Sequence, residues 1–306
     1  MADSPASAAG PNVRAAESAV IALGAVGLTA LAGAFLLLAG GYDPLAAVAA
    51  MLRGAFGSWG TFTSITLVRS VPLILTGLAV ALAFRAGVWN IGAEGQLYAG
   101  AIAAAGVGLV GVSLPGVILL PAVLLAAFAG GALWAVVPTL MRVRLGVGEV
   151  ITTILMNFVG IYLAAWMVHG PMQESRGVFP QTDPIADAAR ISGRIDADRV
   201  LVMSFIASGA IAGLAGGVEV SGLTFALYED LSPGWGYTAI AVALLAGLDP
   251  RGVIVTGLLF GALQAGAGAM QRDAGIPAAW VGVVEALVIL AVLALDRVRR
   301  IRARAS

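Results

Sequence analysis

The polar residues of this chain are few, and they cluster. In RAGVWNIGAEGQLYAG, from Arg85 to Gly100, the residues Trp89, Asn90, Glu94 and Gln96 interrupt a run otherwise built from Ala, Leu, Val and Gly. An ionised carboxylate at the centre of a helical span costs about 2.5–3.5 kcal/mol on insertion scales. Glu94, Glu219 and Glu285, with Asn157 as a buried amide, are therefore the residues that require a reason. In apolar surroundings such groups can hold a polar solute by hydrogen bonds, or relay ions and protons. Gly92 and Gly95 each disfavour an unbroken helix by about 1 kcal/mol relative to Ala. The stretch thus predicts a break after Arg85 and a new helix starting near Ala93, with Glu94 and Gln96 in its first turn. There the helix dipole favours a carboxylate, and free N–H groups can hold a polar ligand. A cytoplasmic loop in which Glu94 merely caps the next helix is an equal alternative.

Other polar residues fall into smaller groups. Thr153 and Asn157 are four apart and share a helix face, which either lines a path for a hydroxylated solute or bonds to a neighbouring helix. Asn157 is read as path-facing. Glu219, in GGVEVSG, either faces the path or pairs with another polar helix residue. Trp89, Trp235 and Tyr237 could stack on a planar substrate; an interfacial belt is the alternative for all three and the preferred one for Trp235. The chain has no Cys and no Lys, its basic residues being Arg throughout, and His169 is its single histidine. These counts exclude thiolate chemistry, Schiff-base lysines, a multi-histidine metal site and a GxxxxGK[ST] phosphate loop. No metal and no cofactor are expected.

The elements that must position these residues are hydrophobic helices. The composition, 60% hydrophobic and 11% charged, predicts an all-α, polytopic membrane protein, because the apolar runs are continuous rather than alternating. Nine apolar segments are expected, near 19–40, 63–84, 97–113, 117–140, 149–169, 200–227, 236–248, 252–270 and 279–296. The segment 236–248 is short for a crossing of roughly 20 residues. The expected organisation is one transmembrane domain over 1–306, with a disordered polar tail at 1–18, a polar linker at 170–199 and a basic tail at 297–306. Arg14, Arg85, Arg142, Arg144 and the C-terminal arginines are expected on the cytoplasmic side. Four spans between Arg14 and Arg142 satisfy that rule. The five segments between Arg144 and Arg297 are an odd number and do not, unless 236–248 dips in and returns. SPGWGYTAIAVALLAG loosely echoes GAEGQLYAGAIAAAG, which suggests a second discontinuous helix opposite the first.

Several blocks in order carry a family resemblance: PLILTGLAVALAFRAGVWNIGAEGQ, GVGEVITTILMNFVGIYL, SGAIAGLAGGVEV and GYTAIAVALLAGLDPRGVIVTGLLFGAL. Together they resemble the permease subunits of bacterial ABC importers for nucleosides and simple sugars, with FRAGxxNIGAEGQ most like the nucleoside branch. The resemblance implies a transport subunit rather than an enzyme, seated in the cytoplasmic membrane with its C-terminus inside. It implies a second permease chain, a separate cytoplasmic ATP-binding subunit and an extracytoplasmic substrate-binding protein. It also implies a substrate pathway near Asn90, Glu94, Gln96 and Asn157, to which the reading of the residues themselves adds Trp89 and Glu219, with nucleosides moved by alternating access. A monosaccharide permease, an ion-coupled transporter relaying through Glu94, Glu219 or Glu285, and an inactive remnant stand as alternatives. The chain departs from the family at one place. Between the outside loop and SGAIAGLAGG, relatives carry a further span and a coupling segment resembling RAVGxNPxAARxAGI, whereas here ADAARISGRIDADRVLVMS joins the two directly. That junction accounts for the odd parity. It leaves Arg190, Gly193, Arg194 and Ile195 as the expected ATPase-coupling residues.

Overall fold

A computed structural model describes residues 31–85, 88–190 and 208–277, with residues 27, 280, 282, 283, 286 and 287. The described residues are helical apart from their connections and one isolated antiparallel bridge between Gln181 and Tyr228. The helices are α1 (Leu31–Ala39), α2 (Pro44–Phe56), α3 (Trp59–Arg85), α4 (Ala93–Val110), α5 (Gly116–Leu145) and α6 (Glu149–His169). They continue with α7 (Ser208–Glu219, extended by a π turn over Val220–Thr224), α8 (Trp235–Leu245) and α9 (Pro250–Ala274). Four of them are long and apolar enough to cross a membrane: α3, α5, α6 and α9. A fifth crossing results if α1 and α2, bent by 118°, act as one span. The protein is a multi-pass helical membrane protein.

The helix start expected near Ala93 is the first residue of α4, so Glu94 and Gln96 lie in its first turn. The short segment expected at 236–248 is α8, a helix of 11 residues. At 1.5 Å per residue it reaches about 16 Å, half of a bilayer's hydrocarbon core. Helix α2 was hidden by GGYDP, which breaks the apolar run before it. Most of the segment at 279–296 lies outside the described residues, as does Glu285.

The contacts divide the chain into two compact units. In the smaller, residues 1–54 with 266–306, Met51 lies against Gly266 and Tyr42 meets the Trp280 ring edge-on at 6.2 Å. The larger unit, residues 55–265, holds every polar residue discussed below. Its centre is a close approach of α4, α5 and α7. A methyl at Gly213 would land on the backbone of Ala127 and Gly131 in α5, and one at Gly100 on the backbone of Gly213. Lipid supplies no hydrophobic drive between helices, so backbone contact through small residues carries the packing.

The two ends of this unit differ in chemistry. Helix α5 ends on Arg142 and Arg144, closed by Gly146 in the left-handed conformation at φ 66°. Its first residue, Gly116, lies against Ala188 at the other end. There the linker from 170 to 190 forms an ordered cap. Thr182 N–H donates to Leu227 O at 2.9 Å, Ile185 N–H to Phe225 O at 2.9 Å and Ala186 N–H to Gly108 O at 3.2 Å. Within it, Glu174 accepts from the Gln181 amide at 2.6 Å and from Phe179 N–H at 3.0 Å. These bonds, the Gln181 bond foremost, hold the Glu174 carboxyl below the usual carboxylate range.

Candidate functional site

In the non-helical segment 88–92, Val88 N–H bonds Ala83 O at 2.9 Å and Gly92 O accepts from Gln96 N–H at 3.0 Å, while Trp89 N–H and both backbone groups of Ile91 lie outside any helical ladder. In an apolar surround each unpaired group is costly, and one face of α6 pairs them. Glu149, Thr153 and Asn157 are spaced four apart, so their side chains stack on that face. Glu149 Oε1, bonded to Arg142 Nη1 at 3.0 Å, also lies 3.5 Å from Trp89 N. Thr153 Oγ1 accepts from Ile91 N–H at 3.3 Å. The Asn157 amide does both jobs, donating to Ile91 O at 2.8 Å and accepting from Gly95 N–H at 2.8 Å. Gly95 N–H is one of the first-turn donors of α4 with no partner inside its own helix. Asn157 therefore caps α4 from a neighbouring helix, and it is 0% exposed.

Asn90 and Gln96 close the same junction from within. The Asn90 amide donates to Gln96 Oε1 at 3.1 Å, the Gln96 amide donates to Asn90 Oδ1 at 3.3 Å, and Gly92 N–H donates to Asn90 Oδ1 at 2.9 Å. Both are buried.

Glu94 reaches in another direction. It is 2% exposed, and its Oε2 accepts from Gly236 N–H at 2.5 Å. Gly236 is the second residue of α8, so this carboxyl sits in the first turn of α4 and on the first turn of α8 together. Ser232 completes the start of α8. Its Oγ accepts from Trp235 N–H at 2.9 Å, and its side chain also bonds Glu94. Tyr98 OH accepts from Ser232 N–H at 3.3 Å. A methyl on Gly236 would fall on the backbone and carboxyl of Glu94, so the two helix starts meet closely at this residue. The expected second discontinuous helix is therefore present, start to start with the first.

The remaining expected residues lie apart. Trp89 is 56% exposed, with its ring 4.9 Å from Phe84. Glu219 is buried at the end of α7, and no hydrogen bond among the described residues connects it to Glu94. Trp235 is buried and donates from Nε1 to Gln264 Oε1 at 3.0 Å, so the interfacial belt preferred for it does not hold. Arg190 bonds Asp187 at 2.6 Å and Ile185 O at 3.3 Å, with its guanidinium 5.1 Å over the Phe225 ring. That places it in the cap, at the end of the unit away from Arg142 and Arg144. Arg190 and the Arg142 pair cannot both face the cytoplasm. Gly193, Arg194 and Ile195 lie outside the described residues. Sequence reasoning missed Glu149, Ser232 and Gly236. The spacing of 149, 153 and 157 was a usable signal for the first; Ser232 preceding PGWG, as a helix cap, was one for the second.

A family model described as branched-chain amino acid transport system / permease component matches residues 62–189 and 186–293. The chain belongs to this permease family. The permease is 34% identical to the glucose ABC transporter permease of Haloferax volcanii over 93% of its own chain and 87% of that relative. It is 30% identical to the guanosine ABC transporter permease of Bacillus subtilis, over 92% of its chain and 94% of the relative. To the nucleoside ABC transporter permease of Lactococcus lactis subsp. cremoris it is also 30% identical, over 85% and 86%. No solved structure matches. The permease is a transport component and not an enzyme, and permeases of this kind work with an ATP-binding subunit and a substrate-binding protein.

Proposed function

We propose that this permease moves nucleosides inward across the cytoplasmic membrane, driven by ATP hydrolysis on a separate subunit. The observation that carries the reading is its likeness, over most of both chains, to permeases named for guanosine and for nucleosides. Two discontinuous helices meeting start to start are the arrangement in which transporters place a pathway that alternates between two sides. In this reading the path runs beside the junction of Asn90, Glu94, Gln96 and Asn157, with Glu219 farther along α7. The exposed Trp89 ring is free to stack on a base. The Arg142 and Arg144 end faces the cytoplasm, as does the C-terminus, and a second permease chain completes the pore. A monosaccharide is the second reading, favoured by the glucose permease of Haloferax volcanii.

The same reading includes a shortened chain. Arg190 sits beside Phe225, at the end of α7, whereas Ser208 begins that helix. With 17 residues over 208–224, the two points stand about 25 Å apart along it. Residues 191–207, outside the described residues, carry Arg194, Asp196, Asp198 and Arg199. Two further observations support a missing span. The two family matches meet at 186–189, and the alignment to the Haloferax relative runs over 341 positions while covering 93% of this chain, so about 56 of them have no counterpart here. Gly193, Arg194 and Ile195 then belong to the segment that meets the ATP-binding subunit, and Arg190 marks its outer limit.

Uptake of labelled guanosine and glucose in cells carrying the partner subunits tests both parts, comparing this chain with one extended at residue 190. Guanosine uptake by either form supports the substrate. Uptake by the extended form alone supports the missing span. Glucose uptake without guanosine uptake overturns the first.

A further inference from the structure

We infer that Glu94 is a latch between the starts of α4 and α8 and not a substrate ligand. Its carboxyl takes two protein donors, Gly236 N–H at 2.5 Å on Oε2 and the Ser232 side chain, and it is buried with both. Each donor belongs to the start of α8, and the acceptor belongs to the start of α4. The contact is therefore the point where the two discontinuous helices are tied. Glycine at 236 is required by the same closeness, since a methyl there would collide with the Glu94 backbone as well as its carboxyl oxygen.

The other parts of the junction chiefly hold the 88–95 segment in place, although the Asn157 side chain also bonds Tyr237 of α8. Asn157 and Thr153 hold the 88–95 segment to α6, and Asn90 holds Gln96 within the segment. Beside Glu94, Tyr98 is the α4 side chain that reaches the α8 side, through Ser232 N–H at 3.3 Å. A short polar tie across an otherwise apolar contact is the kind of link that can be released and remade as a unit. This inference rests on the transport reading: parting of the α4 and α8 starts opens the path between them, and Glu94 sets how often they part. Glu94 is a positioning residue in that cycle.

The absence of cysteine makes a direct test available. Ala239 lies three residues after Gly236, on the same face of α8, and is 0% exposed. With A239C as the single thiol, labelling by a small methanethiosulfonate reports parting of the two helices without any substrate. With Glu94 intact the thiol should react slowly. In Glu94→Gln, and separately in Gly236→Ala with Glu94 retained, the rate should rise roughly tenfold or more. Guanosine uptake should lose maximal rate while the half-saturating concentration and the ranking of competing nucleosides stay unchanged. Unchanged labelling in both variants, or fast labelling with Glu94 intact, would overturn the latch. So would a changed ranking of nucleosides in Glu94→Gln with labelling unaltered. Should the wild-type chain move no nucleoside while labelling still rises in both variants, the latch stands and the substrate assignment falls.

Discussion

Replacing Asn157 by Ala should destabilise the permease far more than a typical polar contact between membrane helices. The side chain is fully buried and makes two bonds of 2.8 Å, both to backbone. Two scales compete. Contacts between polar side chains in membrane helices average about 0.6 kcal/mol, because the freed groups find other partners. A buried group left unpaired costs about 1–3 kcal/mol. The second scale applies here. Gly95 N–H is a first-turn donor with no helical acceptor, and Ile91 O lies in an extended segment with no helical donor. Two orphaned groups give a loss of roughly 2–5 kcal/mol, a factor of about 30 or more in the folding equilibrium. Asn157→Asp keeps the acceptor for Gly95 and loses the donor to Ile91, so it should fall between. The assay is reversible unfolding of the purified permease in mixed micelles by rising denaturing detergent, read by near-ultraviolet circular dichroism. An Asn157→Ala loss below about 0.5 kcal/mol, within the ordinary spread of surface substitutions, would refute the reasoning. If guanosine affinity alone changed, the side chain would be facing the path.

Two other outcomes follow from the geometry. Gly213→Ala should force α7 away from α5, where backbone now fills the space, at a cost of roughly 1–3 kcal/mol; unfolding in the same detergent assay, together with yield in membranes, measures it. Acid should loosen the cap around Glu174. The folded-state value of that carboxyl lies below its ordinary 4.5, so its contribution is present above 4.5 and is lost as pH falls through the folded value; Glu174→Gln should remove this dependence. Proteolysis of the 170–190 cap, followed as pH is lowered, checks the direction. Because Glu174 is only half-buried, the change should shrink in high salt.

Much of the junction could be read in the sequence, for local reasons. Gly92 and Gly95 around Glu94 marked a helix start, and the helix begins at Ala93. The echo between GAEGQLYAG and SPGWGYTAI marked a second one, at Trp235. What could not be read was which distant group each polar side chain would meet. Thr153 and Asn157 share a face, but nothing local says that the face meets the backbone of 89–95 and not a solute. The surroundings of Arg190 were not legible for a related reason. Its neighbours in sequence suggested the coupling segment, while bonds to Asp187 and Ile185 and the ring of Phe225 hold it in the cap. The cap itself is polar and proline-rich, which reads as a loop; its order comes from pairing with residues 225–228, some 45 positions on.

The central claim, an ATP-driven nucleoside importer, is tested most directly by reconstitution. The permease, its ATP-binding subunit and the substrate-binding protein are placed in proteoliposomes, and labelled guanosine uptake is followed with and without ATP, and with an imposed proton gradient alone. The account predicts accumulation that requires ATP and the ATP-binding subunit and is indifferent to the gradient. Accumulation driven by the proton gradient without the ATP-binding subunit would contradict it.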